Sequence, residues 1–210
     1  MIKNNKENNI QNKEIKEEKC EKARKKEKTE KKEQTEKKQE GKKGANLFGF
    51  CDLRVGFVQE CKIMEGFNDI YSLKIDLGEP EIRIIGTGLR NHVPISEIQS
   101  SKVIVFSNLK PKRFGENFIS NGMIMCASDG SHQKIELIRP SKEATPGDKV
   151  YLDGTELDPK VEPTLSGGRF SKAIENFRTN ESLECMFNGI KLRTKDGIVT
   201  VKSLKNSQIS

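Results

Sequence analysis

From residue 53 to residue 138, short apolar runs recur between turn signals, the pattern of a chain built from strands. The runs fall near residues 53–61, 70–76, 82–87, 102–107, 122–127 and 134–138. Pro94 and the polar stretch at 96–100 predict a turn or short helical crossing between the third and fourth strands. Pro146-Gly147-Asp148 predicts a turn ahead of a short strand at 150–152. Five or six short strands with one interruption fit a small closed barrel of the oligonucleotide-binding type. A small sandwich gives nearly the same pattern, and the barrel is the preferred reading. Past Asp153, a connection containing Pro and Gly leads to residues 171–178. Ser171 is placed there to cap a helix whose Ala173, Ile174 and Phe177 share a face. Asn188-Gly189 suits a type I′ turn joining two strands within 185–193, and Lys195-Asp196-Gly197 reverses the chain again before 198–201. The expected fold is all-β: a five-stranded barrel (OB-fold) over 47–153, with a small α+β module over 154–210. That module is too small for much independent stability and is expected to pack on the barrel.

Residues 1–46 break the pattern. They are mostly Lys, Glu, Asn and Gln, and their only large aliphatics are Met1, Ile2, Ile10 and Ile15. So few apolar groups cannot offset the entropy of ordering the segment, which is expected to be disordered or a single helix. Glu18–Lys22, Glu21–Lys25, Glu27–Lys31 and Glu33–Lys37 are spaced i,i+4 and favour a fluctuating helix, but no apolar a and d positions exist for a coiled coil. Residues 1–44 hold sixteen Lys and Arg against ten Asp and Glu, so most of the chain's +7 lies there. Lys25, Lys26, Lys31, Lys32, Lys37 and Lys38 read as an auxiliary basic arm with salt-sensitive attraction for RNA; a solubilising linker is the other reading.

Composition removes several function classes. No run approaches the roughly 18 apolar residues of a membrane span, and no apolar stretch follows the first residues as in a secretory signal. The five cysteines form no CxxC pair and read as reduced thiols of a cytoplasmic protein. His92 and His132 lie at no ligand spacing from them, so no metal and no cofactor is expected. Gly86-Thr87-Gly88 fails the dinucleotide fingerprint because Asn91 stands where its third glycine belongs. Asp76 and Glu79 read as strand-end solvation, and His92 as a hydrogen-bonding residue. The expectation is a binding protein, not an enzyme.

The candidate site is the excursion between the strands at 102–107 and 122–127. It carries Lys110, Lys112 and Arg113 beside Phe114 and Phe118. Cations neutralise phosphates and rings stack on unpaired bases, so this pairing suits a nucleic acid; an ordinary solvated β-loop is the other reading.

Five motifs occur in order: DLRVG at 52–56, YSLKIDLGE at 71–79, GLRNHVP at 88–94, SNLKP at 107–111 and SNGMIMCAS at 120–128. Together they strongly resemble the tRNA-binding domain of the endothelial monocyte-activating polypeptide II type. The yeast-type cofactor of methionyl- and glutamyl-tRNA synthetases carries the same domain. The resemblance covers about residues 50–153, and AIENF, ECMFNGIKL and SLKNSQI look like the extra module of the eukaryotic members. It implies an OB-fold barrel that recognises tRNA by shape and serves aminoacyl-tRNA synthetases as an accessory protein. An assembly protein of a multi-synthetase complex and a general single-strand binder are the alternatives. It places RNA contacts on Lys110, Lys112 and Arg113, on Ser120 and Met123 of the SxGM motif, and more weakly on Arg90 and Asn91. It also implies a monomer whose C-terminal module fills a dimer-like interface. Residues 64–68 depart from the family's usual stretch and are assigned no role. The segment between Pro111 and Ser120 is one residue longer than usual.

Overall fold

One long strand, β1 (Leu53–Ile63), organises the barrel. Its first half pairs antiparallel with β4 (Lys102–Phe106), and its second half with β2 (Tyr71–Asp76). The register shifts between Val58 and Glu60, and such a bulge bends a strand so that it can serve two neighbours. β3 (Arg83–Thr87) lies outside β2 and β7 (Met123–Ile124) outside β4, giving the order β3-β2-β1-β4-β7. The outer strands approach each other where the Asn121 N–H donates to the Ile84 carbonyl at 2.9 Å, so the five strands make a nearly closed barrel. A single turn of helix, α1 (Ile95–Ile98), occupies the expected interruption. The computed structural model describes residues 47–155 and 161–210. The basic arm, with Lys25, Lys26, Lys31, Lys32, Lys37 and Lys38, lies outside the described residues.

The strand expected at 122–127 is two strands. After β7 the chain turns at Met125, whose N–H still reaches Ile104 of the barrel at 2.9 Å. It continues as β8 (Cys126–Ser128), flanked by β9 (Ile135–Leu137) and β15 (Gln208–Ile209). From β15 the second sheet runs through β11 (Phe177–Thr179), β12 (Cys185–Phe187) and β13 (Ile190–Thr194) to β10 (Tyr151–Leu152). β14 (Gly197–Ile198) pairs with β13. The sheet therefore passes from barrel to C-terminal segment through continuous hydrogen bonds. Asn188 and Gly189 have φ of +48° and +75°, as a type I′ turn requires, so the β12–β13 hairpin forms as expected.

The predicted helix is displaced. It spans α2 (Gly167–Ile174) with Ser166 at its N-cap, and not residues 171–178. Phe177 is drawn instead into β11 opposite Phe187, and the two rings meet edge-on at 4.6 Å. Phe48 joins them at 6.2 and 5.2 Å. Long-range aromatic packing outweighs the local helix signal there.

The alternation of β4 explains how barrel and module share a core. Val103 and Val105 point into the barrel with Leu73, Ile75 and Ile85. Ile104 and Phe106 point the other way, into a second cluster with Ala173, Phe177, Phe187 and Leu192. An apolar run without polar alternation is what a strand buried on both faces needs. Asn108 fixes the junction. Its buried amide takes the Asp52 N–H on Oδ1 at 2.9 Å, while Nδ2 donates to the Phe50 and Glu162 carbonyls, each at 2.9 Å. Its own carbonyl accepts the Leu165 N–H at 2.7 Å.

Asn108→Ala will orphan the buried Asp52 N–H and two half-buried carbonyls, and lower unfolding stability by about 2 kcal/mol, read from the urea midpoint. Burial pushes the Cys51, Cys126 and Cys185 thiols up to about 12 and Cys61 to about 11. In a Cys20→Ser chain these four thiols will therefore be inert to a disulfide reagent at neutral pH and all react after denaturation.

Candidate nucleic-acid interface

Between β4 and β7 the chain leaves the barrel at Ser107 and rejoins it at Asn121. The expected loop is itself a hairpin, β5 (Lys112–Phe114) paired with β6 (Phe118–Ser120). Arg83 clamps its base: Nη1 donates to the carbonyls of Ser107 at 2.5 Å and Asn121 at 3.2 Å. Nε and Nη2 are held by the Glu79 carboxylate at 2.7 and 2.8 Å, a bidentate pairing that fixes the guanidinium plane. Glu79 also takes Arg54 at 3.2 Å, and Arg54 is bound to Asp52 at 2.7 Å. Glu79 is thus the centre of an ion cluster and not strand-end solvation. Asp76 keeps a local role, accepting the Gly78 N–H at 2.8 Å.

The hairpin rests on β3. The buried Ser120 hydroxyl accepts the Gly86 N–H and donates to the Gly122 carbonyl, both at 3.0 Å. The Phe114 and Phe118 rings meet edge-to-face at 6.0 Å and lie directly on Gly86. A Cβ at Gly86 would sit 2.9 Å from Phe118 and 3.2 Å from Phe114, so only glycine permits this approach. Phe67 meets Phe114 edge-on at 6.3 Å, and the Phe67 carbonyl accepts Arg90 Nη1 at 2.7 Å. The loop at 64–68, assigned no role from the sequence, therefore buttresses the hairpin.

Hairpin, β3 and the C-terminal segment enclose a groove of about 530 Å3. Five of the sequence candidates line it: Lys110, Lys112, Phe114, Ser120 and Met123. Thr87 and Gly88 lie at its barrel side, and Leu165 and Phe170 form the opposite wall. Lys112 Nζ stands over the Phe114 ring, 4.9 Å from its centroid. Lys110, Lys112 and Arg113 are exposed, and among the described residues no carboxylate bridges to any of them.

The remaining candidates lie elsewhere. Arg113 falls between Lys112 and Phe114, so strand alternation turns it to the outer face of the hairpin, opposite Ile119. Its Nη1 donates to the Glu116 carbonyl at 2.7 Å. Phe118 is committed to Gly86 and Arg90 to Phe67, while Asn91 is exposed in the turn that follows. His92 is exposed, with Nδ1 3.5 Å from the Gln133 carbonyl. Leu165 and Phe170 carry no signal in the sequence, because they reach the groove only through the Asn108 junction. Gly86 had one signal, the glycine pair around Thr87, for which a β-turn is the better account from sequence; Gly86 and Thr87 instead end β3. The groove offers cations, an oriented ring and apolar walls. Among the described residues no cluster of His, Cys, Asp and Glu could hold a metal ion.

Residues 53–149 match the family model described as "Putative tRNA binding domain". The chain is 34% identical over 161 residues to the cytoplasmic tyrosine–tRNA ligase of Gallus gallus, covering 76% of this chain and 30% of that protein. It is 29% identical over 159 residues to aminoacyl tRNA synthase complex-interacting multifunctional protein 1 of Mus musculus, covering 75% and 50%. The chain spans between a fifth and a half of the length of these curated relatives and a rice methionine–tRNA ligase. Among solved structures it is similar to the C-terminal domain of Plasmodium vivax p43. The TM-score is 0.72 at 26% identity, over 78% of this chain and 98% of that domain. The barrel, over residues 53–149, is a domain of the tRNA-binding domain family.

Proposed function

We propose that this protein binds tRNA by shape, without reading its sequence, and supplies it to an aminoacyl-tRNA synthetase. The observation that carries this reading is the groove. Two lysines with no bridging carboxylate among the described residues and a half-exposed phenylalanine meet there, on a barrel of the tRNA-binding domain family. Lysines at a groove rim attract phosphates whatever the bases, which suits recognition by shape. Ser120 of the SxGM motif is engaged on both its donor and acceptor sides, which suits a structural role and not that of a nucleophile. Binding, with no cofactor, is the activity we assign.

The basic arm adds a second, weaker attraction on the same chain, and two linked weak sites raise affinity through effective concentration. The chain acts as a monomer. Its C-terminal module covers Ile104 and Phe106, which would otherwise leave an apolar barrel face for a second copy. The cytoplasm is the compartment that suits four buried thiols and a relative named as cytoplasmic. The murine relative's name, a complex-interacting protein, favours a second reading in which the chain docks a synthetase and RNA binding is incidental.

Reversing charge at Lys110, Lys112 and Arg113 together will weaken tRNA binding by at least about tenfold at low salt. For every phosphate no longer neutralised, the slope of log K against log salt will fall by about 0.9. Unchanged tRNA affinity with loss of synthetase pull-down would favour the docking reading instead. Removing residues 1–44 will flatten the salt slope further, and an unchanged slope refutes the arm. Sedimentation equilibrium will give the monomer mass at all protein concentrations; a dimer mass refutes the monomer.

A further inference from the structure

The geometry points to a more specific occupant of the groove: one unpaired nucleotide of the RNA, its base between the barrel hairpin and the C-terminal module and its phosphates on Lys110 and Lys112. This deepens the tRNA reading and rests on it.

Backbone recognition of a duplex needs only cations on a surface, since paired bases stay inside the helix. This site has more than that. Its volume of about 530 Å3 is that of a small-ligand pocket, and its inner wall is Leu109, Met123, Leu165 and Phe170. Phosphate gains nothing from such a wall, whereas the flat face of a base does. The cations stand on the exposed hairpin, where a phosphate can meet them without entering the apolar part. Charge and shape therefore divide the groove into a place for a phosphate and a place for a base.

The walls are set before any ligand arrives. Phe114 is held edge-on by Phe67 and Phe118 and seated on Gly86, so its ring has one orientation. Phe170 is packed edge-on against Phe106 at 5.7 Å, and Leu165 is held by Asn108 at 2.7 Å. Lys112 covers the Phe114 ring in the free protein. A cation over a half-exposed ring is weakly held, and a phosphate competes for it effectively. When Lys112 moves to the phosphate, the ring face it covered is open for stacking. The Ser120 hydroxyl is engaged and the walls are mainly apolar, so any base is accepted.

The test compares a blunt RNA duplex with the same duplex carrying one unpaired 3′ nucleotide, binding the full chain at fixed salt, with tRNA alongside. The overhang will bind about tenfold more tightly than the blunt duplex. Gly167 lines the groove, has no positive φ, and a Cβ there meets nothing within 4 Å, so Gly167→Leu adds bulk beside the groove without strain. In that variant the overhang's advantage will fall below about twofold. Equal binding of blunt and overhanging duplex, with tRNA still bound, overturns the inference and leaves the tRNA reading standing. An advantage that persists in Gly167→Leu overturns it as well, because the base then sits elsewhere. Failure to bind tRNA at all overturns both.

Discussion

The side-chain amide of Asn108 is the interaction on which the arrangement depends. It joins the segment before β1, the end of β4 and the connection ahead of α2 through three hydrogen bonds, each at 2.9 Å. An amide is suited to this position because it offers a carbonyl and two N–H donors on one planar group. A carboxylate of the same shape would lose both donors, and an apolar residue would orphan all three partners. Because Asn108 also begins the excursion that carries the basic hairpin, one residue sets both the packing of the module and the starting point of the candidate site.

Around that junction the charges divide into two kinds. Asp52, Arg54, Glu79 and Arg83 are half-buried or buried, paired with one another, and directed at holding the hairpin's base. Lys110, Lys112 and Arg113 extend beyond it with no carboxylate bridging to them among the described residues. Paired charges fix geometry and contribute little outward field, while these three remain available to an anion. Residues 45–210 carry a surplus of only about one positive charge, so the positive potential at the groove comes from this placement and not from overall charge.

The barrel belongs to the tRNA-binding domain family, yet the groove is not a feature of the barrel alone. β4 is buried on both faces, and its outer face is covered by residues far along the chain. That cover brings Leu165 and Phe170 opposite the hairpin and turns a basic loop into a two-walled site. Shared packing and a continuous second sheet make the two parts mechanically one, so orientation of the far wall needs no separate device.

Much of this was legible in the sequence wherever the determinant is local. Apolar runs and turn chemistry located most strands of the barrel, the crossing at Pro94 and the Asn188-Gly189 hairpin, since each depends on a few neighbouring residues; the strand expected at 134–138 lies in the second sheet instead. Motif order identified the family, and residue type alone marked Lys110, Lys112 and Phe114. Contacts between distant segments were not legible. Periodicity cannot show that residues 122–127 divide between two sheets, because the turn at Met125 is set by Ile104 and Ile138. Helix signals at 171–178 were sound locally and were overridden at Phe177 by Phe187 and Phe48. Arg113 looked equivalent to Lys112 until strand pairing placed them on opposite faces. Residue types determined what the candidate site is made of; tertiary packing through Asn108 and β4 decided which of those residues share a groove, because a groove is enclosed only by segments that the chain's local chemistry does not connect.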